Sequence, residues 1–231
     1  MNKYQWGIVL TIILFSTKVH GQTSSVELNV LTVGLGFSNI KGHSILKDRY
    51  EKINTFSLGF SVQYNFPARM AIETGIFLDQ RGGDFIAMER EIKQNPIRLG
   101  DTINRLYQNR FLYFNIPIVF KVNIYRKKTF SLYGNIGGYY AYLIKQLWKE
   151  ERFDVFTTVE PQTRQFDYRT ADFGWLIGLE AVIPCSKITS LKILVNYSRG
   201  TRNFIAKEEL INAYHEKTSI NIGFSFKLQR P

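Results

Sequence analysis

The chain has 231 residues, of which 45% are hydrophobic and 15% aromatic, a composition that excludes intrinsic disorder. Its formal net charge of +11 at pH 7 fits contact with an anionic lipid or lipopolysaccharide surface, but a mixed surface with an excess of lysine is the favoured interpretation. Cys185 is the single cysteine, which excludes an internal disulfide.

The first 21 residues have the pattern of a secretory signal peptide. Lys3 precedes an apolar run from Ile8 to Phe15, and the small residue Gly21 follows at the position of a cleavage site. The run is shorter than the roughly 20 residues that a membrane-spanning helix needs. We therefore predict that residues 1–21 are removed and that residues 22–231 form one exported domain, for which nucleic acid is not an expected partner.

Apolar residues recur at every second position through most of the remaining chain. The pattern is strict in "FSLGFSVQYNF", residues 56–66, and in "SINIGFSFKL", residues 219–228. A period of two is typical of a β-strand with one apolar face. It predicts eight strands, at 27–38, 55–66, 69–81, 108–123, 129–147, 170–183, 190–203 and 215–228.

The lengths of these segments and of their connections favour a membrane barrel. Soluble strands average about 5–6 residues, whereas a tilted membrane strand needs about 9–11, which most of these segments reach. The connections are alternately short and long, as in outer-membrane barrels. We predict an all-β fold, an eight-stranded antiparallel up-and-down transmembrane β-barrel with short periplasmic turns and long external loops, one of them at 82–107.

The fourth segment contains "FLYFNIPIVFKVN", residues 111–123, with a proline in its middle. A closed barrel has no free edge for a residue that lacks an N–H, so Pro117 is expected to interrupt one ladder hydrogen bond. We predict that its ring points into the barrel at a bulge or at a locally unpaired rung.

Charged residues interrupt the face that would point into the barrel. Their distances from the short turns predict a similar depth, in the periplasmic half, for Glu73, Lys121, Glu180 and Lys192. Buried charges need partners, so we predict ion pairs among Glu73, Lys121 and Glu180. Such a network is either structural or a gate that responds to protons. Further inward candidates are Asp79, Asp172, Lys227.

The sequence contains no G-x-S-x-G and no H-E-x-x-H motif. His43 and His215 fall in or beside predicted external loops, where lone histidines are usually solvated. We therefore expect no enzymatic activity and assign no catalytic, cofactor-binding or metal-binding residue.

Several short motifs resemble a known family by their order along the chain. They are "GLGFSN", "IETGIFLDQRGGDF", "YFNIPIVFKV", "LYGNIGGYYAYL", "DFGWLIGLEAVI" and "NYSRGTRNF". In this order they resemble the PorT-like outer-membrane β-barrel family of Bacteroidota, which has a Gln-Lys-Gly-like element where this chain has residues 80–82. The resemblance implies an eight-stranded barrel in the outer membrane, without enzymatic activity, cofactor or defined site residues. The chain departs from barrel proteins at its end, which is Gln229-Arg230-Pro231 and not an aromatic residue.

Three functional hypotheses follow. The first is an integral outer-membrane barrel with a packed interior, acting as a structural or surface interaction protein through its lipid surroundings, lipopolysaccharide or a protein partner at the external loops. The second is an exported soluble lipocalin-like barrel that binds an apolar ligand. The third is an outer-membrane lipid-modifying enzyme. Periodicity does not separate the first two, because it leaves open whether the apolar face points out or in.

Overall fold

The computed structural model describes residues 25–42, 50–67, 69–94, 97–152, 169–203 and 213–228, with the side chains of all of these except 86–105 and 148–152. The predicted signal peptide at 1–21 lies outside the described residues. No helix in the described part of the chain is long and apolar enough to cross a membrane.

The described chain is built from antiparallel strands. They are β1 (Ser25–Gly42), β2 (Tyr50–Glu51), β3 (Ile53–Asn65), β4 (Met70–Gln94), β5 (Ile97–Lys127), β6 (Phe130–Arg152), β7 (Ala171–Pro184), β8 (Thr189–Gly200) and β9 (Ala213–Leu228). The two-residue β2 pairs with β4 just outside β3. The other strands pair in the order β4-β3-β1-β9-β8-β7-β6-β5, and pairing of β4 with β5 closes the ring. The predicted eight-stranded up-and-down barrel is confirmed.

The apolar face of each strand points out of the barrel and the polar face points in. On β9, His215, Lys217 and Asn221 are buried, whereas Ile220 and Ile222 between and beyond them are about half exposed, at 54% and 50%. The same alternation runs along β3, from Ile53 to Gln63. An exterior of this kind suits a lipid surrounding, and it is the opposite of the apolar interior that a lipocalin-like barrel requires.

The segment predicted as a long loop at 82–107 is instead mostly strand. β4 and β5 pair from Met70 with Val122 out to Gln94 with Ile97. We call the part beyond the barrel wall, residues 84–94 and 97–108, the outer hairpin. β4 continues through residues 81–83, where Gly82 has a φ of 152° and a side chain would collide with the Asn109 carbonyl oxygen. Glycine therefore lets the strand continue past a closely approaching backbone.

Pro117 interrupts the ladder on one side only. Its pairing with Tyr139 of β6 belongs to an unbroken run, whereas on the β4 side the paired rungs stop at Ile118 and resume at Asn115 in the same register. The hydroxyl of Thr74 donates to the Pro117 carbonyl at 2.9 Å. The ring is buried and lines the interior. A side-chain hydroxyl thus bonds the carbonyl at the unpaired rung, and no bulge is needed.

This geometry predicts a specific role for Thr74. The isosteric substitution Thr74→Val should lower the free energy of unfolding by about 1–2 kcal/mol, because a carbonyl in a lipid-facing wall loses its partner. Urea unfolding in lipid vesicles measures it. The matched control is Thr74→Ser, which keeps the hydroxyl; equal stability of Thr74→Val and wild type would show that this hydrogen bond contributes nothing.

Candidate functional site in the barrel interior

A buried lysine joins three strands near the short-turn end of the barrel. Lys121 on β5 places its Nζ 2.6 Å from Glu73 Oε2 on β4 and 2.6 Å from Glu180 Oε2 on β7. The Lys121 side chain is 1% exposed. These residues face one another because all three occupy inward positions of the period-two pattern at similar distances from the turns. We call this group, with its hydrogen-bonded neighbours, the turn-side layer.

Neutral side chains complete the turn-side layer. Ser61 donates to Glu73 Oε1 at 3.0 Å, and Asn29 Nδ2 donates to Glu73 Oε2 at 3.2 Å. Gln63 Oε1 accepts from Lys121 at 3.2 Å and from Lys192 at 2.7 Å. The two carboxylates, Glu73 and Glu180, are therefore joined through Lys121, and neutral groups add hydrogen bonds to Glu73 and Lys121.

Lys192 joins the turn-side layer indirectly. It reaches Lys121 through Gln63, and its ion-pair partner is Glu27, at 3.3 Å. Glu27 is 21% exposed at its side chain, so this edge of the layer meets solvent.

A second charged layer lies nearer the outer end. Arg81 contacts Asp79 through Nε at 2.9 Å and Asp172 through Nη1 at 2.8 Å. Lys217 of β9 pairs with the other oxygen of Asp79. The Tyr139 hydroxyl donates to Asp172 at 3.1 Å, and its ring lies 4.2 Å from the Arg81 guanidinium carbon. We call this group the outer layer.

Two of the residues that complete the outer layer were missed in the sequence. Arg81 is the last residue of the predicted strand 69–81, and Lys217 lies near the start of the predicted strand 215–228. Extending the inward register of β4 from Glu73 through Asp79 reaches Arg81, and extending that of β9 outward from Ser219 reaches Lys217. The signal was present, but strand ends are poorly defined by pattern alone.

Two other placements were wrong. His215 is not in or beside a solvated loop: it is 1% exposed, and its Nε2 lies 3.1 Å from the Tyr113 hydroxyl. Its ring packs edge-on against Phe111, at 5.1 Å between centroids. Lys227 was expected inside but is exposed at the turn-side end, because β9 ends at Leu228 and the barrel wall no longer encloses it. His43 lies outside the described residues.

A cavity of about 100 Å³ lies between the two layers. It has room for several water molecules. Four buried acceptors on residues that line it have no hydrogen-bond partner among the described residues: Asn29 Oδ1, Asn115 Oδ1, Glu180 Oε1 and Asn196 Oδ1. Water in the cavity is their natural partner. Polar and small side chains form most of the remaining wall, among them Ser57 and Asn221.

The interior chemistry is that of paired charges. In the described part of the chain, no group of His, Cys, Asp or Glu side chains is arranged to hold a metal ion. Arg81, Lys121 and Lys217 each contact a carboxylate, so the cations are committed to ion pairs. The arrangement can link strands across the interior of the barrel.

Comparison with known families fits this geometry. The family described as "Outer membrane protein beta-barrel domain" matches residues 22–205. The chain belongs to this family. Membership supports an outer-membrane location and agrees with the exposed apolar band and the closed ring of strands. No curated protein sequence matches the chain.

The chain is similar to solved structures of outer-membrane barrels. Ail of Yersinia pestis is 14% identical over 87% of this chain and 98% of its own, with a TM-score of 0.42. OprG of Pseudomonas aeruginosa is 13% identical over 91% of this chain and 98% of its own, with a TM-score of 0.41.

The turn-side layer predicts a large effect of removing its cation. Lys121→Met should lower the free energy of unfolding by about 3–5 kcal/mol, because two buried carboxylates then lack a counter-charge. Denaturant unfolding of the refolded barrel measures this loss. Lys227→Met, at the exposed position, is the matched control and should be nearly neutral.

A second variant separates charge from packing. The triple substitution Lys121→Met, Glu73→Gln and Glu180→Gln should recover much of the stability lost by the single one, since no unpaired charge remains. If the single variant is as stable as wild type, the ion pairs do not hold the barrel together.

Proposed function

We propose that this chain is a closed outer-membrane barrel of the PorT-like family, and that it acts as a structural or surface interaction protein and neither as a pore nor as an enzyme. The observation that carries the proposal is the pair of charged layers, which cross the interior one after the other. The motif order in the sequence supports the PorT-like assignment.

The two layers act in series. Glu73 and Asp79 both lie on β4, and at about 3.3 Å per residue along a strand they are roughly 20 Å apart. A solute would have to separate buried ion pairs in both layers, and each broken pair leaves an uncompensated charge. An eight-stranded barrel is also just wide enough for side chains to fill. These features together support the proposal of a closed interior.

Interaction with other molecules is then assigned to the outside of the barrel. The outer hairpin extends β4 by 11 residues beyond Gly83, and β6 pairs with β5 as far as Arg152 with Arg105. This gives a three-stranded backbone platform on the external side, where most outer-membrane barrels have irregular loops. A continuous sheet is a defined surface for a protein partner.

Lipopolysaccharide is the proposed lipid partner at the outer rim. Arg199 on β8 is 40% exposed at its side chain and donates to the Tyr214 hydroxyl at 2.5 Å. Arg202 lies over the Phe173 ring, 5.7 Å from its centroid. Arginines beside aromatic rings at the edge of the apolar band lie at the level of headgroup phosphates, which a guanidinium binds well.

If the interior is closed, the protein should not conduct ions across a membrane. Wild-type protein inserted into a planar lipid bilayer should show no steady single-channel conductance, because two ion-pair layers block the path. Current recording at a range of voltages checks this. A variant that empties only the turn-side layer, with Lys121, Glu73 and Glu180 all changed to alanine, should also be silent because the outer layer remains. Stable conductance steps from the wild type would contradict the proposal.

Removing the charges of the outer-rim arginines should reduce the amount of lipopolysaccharide bound to the barrel. Arg199→Gln with Arg202→Gln should reduce the lipopolysaccharide that co-elutes with the purified barrel by about threefold or more, as loss of charge-assisted phosphate contacts implies. Lys127→Gln with Lys128→Gln, at the other end of the barrel, is the matched control. Equal retention by both double variants would remove the outer rim from lipopolysaccharide binding.

A further inference from the structure

The short-turn end of the barrel carries a ring of exposed cations. They come from each of the described turns and from the end of the last strand, so they surround the barrel. The six residues are Arg69, Arg126, Lys127, Lys128, Lys187 and Lys227. We call this set the periplasmic collar, since short turns of outer-membrane barrels face the periplasm.

Acidic residues do not neutralise the collar. The described acids at this end are Glu73 and Glu180, which bind Lys121, and Glu27. Glu27 binds Lys192, at 3.3 Å. The outer rim differs in that two of its cations lie beside acids: Arg110 pairs with Asp84, and Arg199 lies 3.6 Å from Glu216. The positive charge at the turn-side end therefore remains directed outward.

The collar directly borders the apolar band. Ile124, Ile188 and Leu228 are 59%, 48% and 51% exposed, and each lies one or two residues from the nearest collar cation. The Lys127 Nζ lies 5.6 Å from the centroid of the Tyr125 ring. Lysine and arginine that extend past an apolar band, beside an aromatic ring, reach the headgroup layer of a membrane.

We propose that the periplasmic collar binds anionic phospholipid headgroups in the periplasmic leaflet, and so selects the lipids around the barrel. The proposal rests on the outer-membrane orientation given above. Charge complementarity favours this partner, because several cations facing one leaflet each add to the attraction for an anionic surface. The collar is separate from both the interior layers and the outer rim, so this function is additional to the ones proposed for them.

Cys185 provides a reporter for this contact. It is the only cysteine in the sequence, it is exposed, and it lies two residues from Lys187 in the β7–β8 turn. A fluorophore attached to Cys185 in the full chain, reconstituted into vesicles, is quenched at short range by nitroxide-labelled lipids. Nitroxide phosphatidylglycerol is compared with nitroxide phosphatidylcholine at equal mole fraction. We expect about threefold stronger quenching by the anionic lipid at low salt, decreasing as salt screens the charges.

Two variants locate the effect. Neutralising the collar by Lys127→Gln, Lys128→Gln, Lys187→Gln and Lys227→Gln should abolish the preference for the anionic lipid. The control neutralises four cations toward the outer ends of the strands and should keep the preference. Lys41 is on β1, Lys52 precedes β3, Lys145 is on the outer part of β6 and Arg202 follows β8; each is changed to glutamine. Equal quenching by both lipids in the wild type, or an unchanged preference in the collar variant, overturns the proposal.

Two further measurements keep the result interpretable. Heat-modifiable gel mobility of each reconstituted protein reports insertion; failure of the wild type to insert would count against the outer-membrane barrel itself and not against the collar alone. Sedimentation with purified cell-wall sacculi tests the other polyanion of the periplasm. Collar-dependent binding to sacculi without a lipid preference would overturn the lipid proposal in favour of the cell wall.

Discussion

The fold depends on satisfying polar groups in a narrow space enclosed by an apolar exterior. A barrel wall in lipid must pair its own backbone groups, and its interior must pair its own charges. Lys121, held between Glu73 and Glu180, is the clearest instance, since one ammonium links strands that are far apart in the chain. The interior ion pairs thus occupy the place that apolar packing has in a soluble protein, and they link strands across the barrel.

Pro117 shows how strictly this constraint operates. A proline in a closed barrel leaves a ladder position without a donor, and lipid supplies no water to replace it. The register on either side of the unpaired rung is unchanged, and Thr74 bonds the Pro117 carbonyl through its side chain. The defect is therefore confined to one rung on one side of β5. A bulge would have shifted Lys121 relative to Glu73, so keeping the register also preserves the turn-side layer.

Much of the fold could be predicted from sequence because period two is a local property. The strand number, the short turns and the inward positions of Glu73, Lys121 and Glu180 all follow from alternation counted from the turns. What the pattern could not show was where strands end. The outer hairpin carries many charged residues and little alternation, so it resembled a loop, although its backbone pairs as far as Gln94 with Ile97. The positions of His215, Arg81 and Lys217 were missed for that same reason: each lies where a strand continues beyond its clearest pattern.

The distribution of charge links these features. Cations inside the barrel are paired with acids in both layers, and Arg110 and Arg199 of the outer rim lie beside acids as well. The turn-side collar lacks such partners among the described residues, although Glu27 lies opposite Lys227 in the β1–β9 ladder. Glu27 instead binds Lys192, which needs a counter-charge more because it is largely buried. Because the acids at this end bind lysines inside the barrel, the positive charge of the collar is not compensated by the described residues. An anionic surface outside the protein is the partner that we propose for it.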